Sequence, residues 1–168
     1  MRLRLVLVAL VALVAIGGAF TYTNPAQKPA GAGDCSASKR VTLVVDFGDS
    51  RKPITRCAAD FAGTGWQLFA VTGIEVSGTD QYPEGFVCRI ENWPGVASQG
   101  CHSTPTYAQG GWAYFFKNAT TNPQWTFSPT GSALRKPACG SIEGWRYFGP
   151  NENPAENPPR TNLKPFRC

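Results

Sequence analysis

His102 is the chain's one histidine, so any Ser-His-Asp or Cys-His arrangement must run through it. It stands in Cys101-His102-Ser103-Thr104-Pro105, with no Gly-x-Ser-x-Gly elbow or other nucleophile motif to accompany it. The expectation is a histidine on a surface loop. Asp46 and Asp49, in Val45-Asp46-Phe47-Gly48-Asp49-Ser50, are close enough to share a hard cation. The loop nevertheless lacks the regular series of oxygen ligands and the closing glutamate of a calcium site. Asx-type turn capping is the expected role. The Asp-Phe-Gly triplet also occurs in kinases, but their partner motifs and length are absent here. No catalytic group is announced, and neither a cofactor nor a metal is implied. The chain is expected to be non-enzymatic.

The aromatic residues carry the positive chemical signal. Five Trp, ten Phe and five Tyr make up 12% of the chain. Many must serve as core in a small domain. Trp and Tyr left exposed on a sheet, however, form a platform for a flat or amphipathic ligand, a glycan or a protein partner. The residues expected to do so are Trp112, Tyr114, Trp125 and Trp145, all within short strand-like segments.

Six cysteines, at 35, 57, 88, 101, 139 and 168, follow an N-terminal leader. An even count in an exported chain reads as three disulfides, although six cysteines permit 15 pairings. Zinc is disfavoured because no pair stands at Cys-x-x-Cys spacing and only one histidine is available. Cys88 and Cys101 flank a short loop and are expected to pair. Cys168 ends a tail rich in proline and asparagine that cannot fold alone, so it is expected to bond Cys139 and fold the tail back over the domain.

The elements that would position these residues are short. Val41–Asp46 is a β-branched strand. Thr64-Gly65-Trp66-Gln67 has capping-box spacing, Leu68, Phe69 and Val71 supply an apolar stripe, and Gly73 is a natural stop. This predicts one helix over 65–72. Ile74–Gly78 and Phe86–Ile90 alternate as strands, the second ended by Trp93-Pro94-Gly95. Trp112–Lys117 and Trp125–Ser128 read as a hairpin, and Ile142–Phe148 as the last strand. The resulting fold class is α+β, with one short helix on a mostly antiparallel sheet of four to six short strands.

Met1-Arg-Leu-Arg followed by an apolar run from Leu5 to Phe20 is the pattern of a secretory signal. As a helix the run would span roughly 24 Å, short of a ~30 Å hydrocarbon core, so a cleaved signal fits better than a retained anchor. Residues 21–34 form a Pro/Gly/Ala linker, 35–149 the domain and 150–168 the tail. The protein is expected outside the cytoplasm, secreted or anchored at the cell surface. Net charge is +5, of which Arg2, Arg4, Lys28 and Asp34 put +2 in the leader region, leaving +3 beyond it. The basic residues are scattered, which argues against nucleic acid as a partner.

The order Val44-Val45-Asp46-Phe47, a short helix, Gly85-Phe-Val-Cys-Arg-Ile90, Trp112-Ala-Tyr-Phe-Phe116 and Gly140-Ser-Ile-Glu-Gly-Trp-Arg-Tyr147 resembles the transcobalamin C-terminal-like domain, a β-grasp-related module. Within it, the chain is similar to small exported actinobacterial proteins associated with energy-coupling-factor vitamin transporters. The likeness covers about 41–148. It matches Cys35, Cys57, Cys88 and Cys101 to recurring positions and implies a Cys35–Cys57 bond beside Cys88–Cys101. It implies a β-grasp-like fold that binds or presents a small ligand, a corrinoid or another vitamin, near a transporter. The alternative is a cell-surface interaction or structural module with no small ligand. The helical domain that completes a transcobalamin-type corrinoid site is not part of this chain. Cys139 and Cys168 are additions to the pattern.

Overall fold

The computed structural model describes residues 35–119 and 122–168; the leader and linker readings fall on residues 1–34, outside these. The first strand is β1 (Arg40–Asp46), paired antiparallel with β2 (Ile54–Ala59). The single α-helix among the described residues, α1 (Gln67–Thr72), follows. Then come β3 (Val76–Gly78) and β4 (Val87–Ile90), β5 (Gly111–Asn118), β6 (Asn122–Phe127) and β7 (Ile142–Phe148). The main sheet has five strands in the order β2-β1-β7-β5-β6, and β3 and β4 form a separate pair. β7 runs parallel to β1 and antiparallel to β5. The sheet is therefore mixed, with one parallel pair among antiparallel ones, and one short α-helix among the described residues makes the class α+β.

Helix α1 forms for the reasons its sequence suggests. The Thr64 amide donates to Gln67 Oε1 at 2.9 Å and the Gln67 amide to Thr64 Oγ1 at 3.3 Å, satisfying donors at the N-terminus reciprocally. Leu68 and Phe69 are fully buried. Gly73 takes the left-handed conformation (φ 69°) and closes the last turn with its amide on the Ala70 carbonyl. Val71, expected on the buried stripe, is only half-buried, and Thr72 is buried in its place. The Thr72 hydroxyl donates back to the Leu68 carbonyl at 2.7 Å.

Strand alternation separates two faces. Val41, Leu43 and Val45 of β1, Trp112 and Tyr114 of β5, and Trp145 of β7 join α1, Val87 and Ile90 in the main core. The opposite face carries Val44, Asp46, Phe115, Ile142 and Arg146. It is covered by the C-terminal tail, whose Pro159 is buried and whose Phe166 amide donates to the Gly140 carbonyl at 3.1 Å. Gly144 is the close-approach point on that face: a Cβ there would lie 2.5 Å from the Trp125 ring and 2.8 Å from Pro159.

Three disulfides staple the domain: Cys35–Cys57, Cys88–Cys101 and Cys139–Cys168. The last folds the tail back. Their presence is consistent with an oxidising, extracellular setting. Among the described residues no helix is long and apolar enough to cross a membrane.

Two differences from the sequence reading have physical causes. Strand β2 was not expected, because Arg56, Ala58 and Ala59 dilute its β-forming residues; it is an edge strand with only Cys57 and Ala58 buried. The 74–78 and 86–90 segments, expected within the main sheet, instead pair with each other and lie over the face that α1 covers.

Candidate functional site

The expected aromatic platform does not form. Trp112, Tyr114 and Trp145 are only 5–6% exposed. The reason is the covered face: α1 and the β3–β4 pair lie over it, so these rings become core. Tyr114 stacks on Trp145 at 4.7 Å with planes 17° apart, and Phe69 of α1 lies 5.5 Å from Trp145. Trp112 meets Phe47 and Tyr147 edge-on, each at 5.5 Å. Trp125 is separated from the other three, half-buried under the tail on the opposite face.

A second aromatic group takes the place of the platform. Phe61, Trp66, Val71 and Val76 pack against the main core while remaining partly exposed. They line a groove of about 590 Å³ between the end of β2, α1 and β3, with Asp60 and Glu84 also on its wall. Trp66 is held at the helix start by its own amide, which donates to the Ser132 carbonyl at 3.0 Å, and by Gly65, whose amide donates to the Arg135 carbonyl at 2.9 Å. Gly65 must be glycine, since a Cβ would fall 2.4 Å from Tyr114 Oη. Asp60 ends β2 with a positive φ of 48°, which turns the chain toward Phe61. In the sequence Trp66 stands only as the interior of the Thr64–Gln67 capping box. The missed signal is an indole at the first turn of a helix whose own apolar stripe begins two residues later.

Two buried carboxylates anchor the sheet. Glu143, fully buried, accepts from Tyr114 Oη at 2.5 Å, Ser141 Oγ at 2.8 Å and Arg135 Nε and Nη2 at 3.0 and 3.2 Å. Burial and the adjacent Glu143 carboxylate push the Tyr114 phenol far above its ordinary range. Asp46, also fully buried, accepts from the Gly48 amide at 3.0 Å, the Asx-type turn expected from the sequence. It also takes bonds from Arg146 at 2.9 Å and from the Arg160 amide, Nε and Nη2 at 2.8, 3.0 and 2.9 Å. Arg160 further reaches Asp49 at 2.6 Å.

Burial alone would raise the Asp46 carboxyl, but the Arg160 hydrogen bonds and the Arg146 charge outweigh it and hold the pKa below 3.8. A group with a folded pKa below its unfolded one stabilises fully above the unfolded value, and that stability is lost as pH falls through the folded value. Asp46→Asn should therefore lower stability by about 1.5–3 kcal/mol at pH 7. The gap to wild type should narrow below about pH 4, where the unfolded carboxyl begins to protonate. Thermal melts of both proteins between pH 7 and pH 2 test this; a gap that stays constant over the range contradicts it.

His102 Nδ1 donates to Asp80 Oδ2 at 2.8 Å, but its side chain is 93% exposed and that of Asp80 69%. Solvent screens such a pair, and the cleft that His102 lines with Gly100, Ser103, Pro105 and Gln109 is small, about 200 Å³. Compared with known proteins, the chain matches no protein family, no curated protein and no solved structure.

Proposed function

We propose that this chain is a non-enzymatic extracytoplasmic domain that binds a small amphipathic ligand in the Phe61–Trp66 groove and presents it to a transporter or another envelope partner. The observation that carries the reading is the groove itself: half-buried aromatic and aliphatic side chains with a few polar groups at their margin, in the size range of small-molecule sites. Asp60 and Glu84 favour a ligand whose polar groups donate hydrogen bonds. The amide-fringed edge of a corrinoid, or a smaller vitamin with an apolar ring, meets that description. The three disulfides support a location outside the cytoplasm.

The strand order supports a β-grasp-like, transcobalamin C-terminal-like class. It consists of a hairpin (β1–β2), a helix, a second antiparallel pair (β5–β6) and a last strand parallel to the first at the sheet centre. The β3–β4 pair is an insertion in that order.

Calorimetric titration of the purified protein with cyanocobalamin is the direct test. Saturable binding below ~100 μM, a free energy more favourable than about −5.5 kcal/mol, is expected. Trp66→Ala should weaken it by about tenfold or more, as truncation of a central aromatic anchor does. Full affinity in Trp66→Ala overturns the groove assignment. Absence of binding by the wild type overturns the corrinoid and favours the cell-surface interaction module, a reading that the exposed Val96 (82%) and Leu134 (77%) support.

A further inference from the structure

Lys117 lies near the end of β5 with 8% of its surface exposed. Its ammonium donates to the Leu163 carbonyl at 3.1 Å and sits 4.7 Å from the centre of the Trp125 ring. A carbonyl dipole and a ring face orient the charge without neutralising it. The ion pairs among the described residues involve His102, Arg135, Arg146 and Arg160, not Lys117. Burial accordingly lowers its pKa with no opposing carboxylate. An ammonium taken from water without a counter-charge is costly to the fold.

The surroundings supply room for that counter-charge. Lys117 lines two clefts, of about 920 and 620 Å³, which share Gln124, Thr161 and Asn162 with it. The smaller also takes in Lys164 and has no acidic side chain on its wall among the described residues. The larger takes in Arg146, whose Nε is shielded from solvent without a hydrogen-bond partner, and Arg160, with Glu156 as its one acidic side chain among the described residues. Thr161 Oγ1 accepts from the Leu163 amide at 3.2 Å, which leaves its proton to donate. An ammonium has three protons to donate, and only one of those on Lys117 has a partner oxygen among the described residues.

We propose that the junction of these clefts, beneath the C-terminal tail, binds an oxyanion, the phosphate or carboxylate group of a small ligand, with Lys117 as its charged anchor and Lys164 and Thr161 beside it. This site lies on the sheet face opposite α1 and is independent of the Phe61–Trp66 groove.

Inorganic phosphate and citrate are the probes, each compared with sodium chloride at matched ionic strength. Either oxyanion should raise the Tm of the wild-type protein above the chloride control in a saturable way. Lys117→Met, which removes a buried unpaired charge and so should fold, is expected to weaken that binding by about tenfold or more. Lys117→Arg should retain it, as should Lys52→Met at an exposed lysine outside both clefts and Trp66→Ala in the apolar groove. A rise with only one of the two anions supports the site and tells phosphate from carboxylate. An equal rise in Lys117→Met and wild type, or no rise with either anion, overturns the proposal.

Discussion

Replacing Glu143 by alanine is expected to destabilise the domain by about 3–5 kcal/mol, the cost of breaking a buried ion pair from one side. The variant removes the acceptor for three donors at once. The Tyr114 phenol, the Ser141 hydroxyl and the Arg135 guanidinium all point at a carboxylate with no exposed surface. Arg135 is the decisive group: its side chain is only 15% exposed, and it lies 3.5 Å over the Phe116 ring, so water cannot readily replace Glu143. A fall in Tm of roughly 10–20 °C should follow for a domain of this size. Glu143→Gln keeps the shape and an acceptor for Tyr114 or Ser141 but loses the charge, and should fall between wild type and Glu143→Ala. In the double variant Glu143→Leu/Arg135→Met both charges leave together, so much of the loss should be recovered. Chemical denaturation of the four proteins gives the comparison. If Glu143→Ala costs less than about 1 kcal/mol, the network contributes no more than an exposed pair would.

The same network connects stability to the groove. Arg135 presents its carbonyl to Gly65, and Ser132 presents its own to Trp66. The segment that Glu143 fixes through Arg135 thus holds the first turn of α1, and with it the indole that lines the groove. Loss of Glu143 should therefore weaken the binding proposed for the groove, through the position of Trp66 and not through a contact of its own.

Much of this arrangement was legible in local pattern. β-branched alternation marked β1, and period-two aromatics marked β5 and β7. The Thr64–Gln67 spacing and Gly73 marked both ends of α1. What local pattern could not reach was which sheet face would be covered. Alternation told that Trp112 and Tyr114 share a face, yet whether that face is core or platform depends on where α1 and the β3–β4 pair settle. The buried charges were hidden for a related reason. Asp46 meets Arg146 and Arg160 across separations of 100 and 114 residues, so sequence near Asp46 displays only the turn it caps. Lys117 reads as the polar end of a strand until the tail crosses it. The tail's return, in contrast, was legible from a terminal cysteine that had no other reason to be there.

Trp145 is where the two meanings of an aromatic strand separate most sharply. As a platform residue it could be truncated with little effect on folding and a large effect on binding. As core it should do the reverse. Its ring stacks on Tyr114, meets Phe69 at a tilt and is 5% exposed, so Trp145→Ala removes a large buried side chain from the core. A loss of about 3–5 kcal/mol is expected for such a cavity. Trp145→Phe provides the control. The indole Nε1 is buried without a hydrogen-bond partner, so phenylalanine gives up part of the volume but also removes an unsatisfied donor. These changes oppose each other, and the cost should stay below about 1.5 kcal/mol. Thermal melts of the two variants separate the roles. A Trp145→Ala protein that melts with the wild type would return Trp145 to the surface, whereas a large loss rescued by phenylalanine makes the ring a structural support for α1. The ligand contact proposed for this domain then rests on Trp66, at the N-cap of the helix that Trp145 supports.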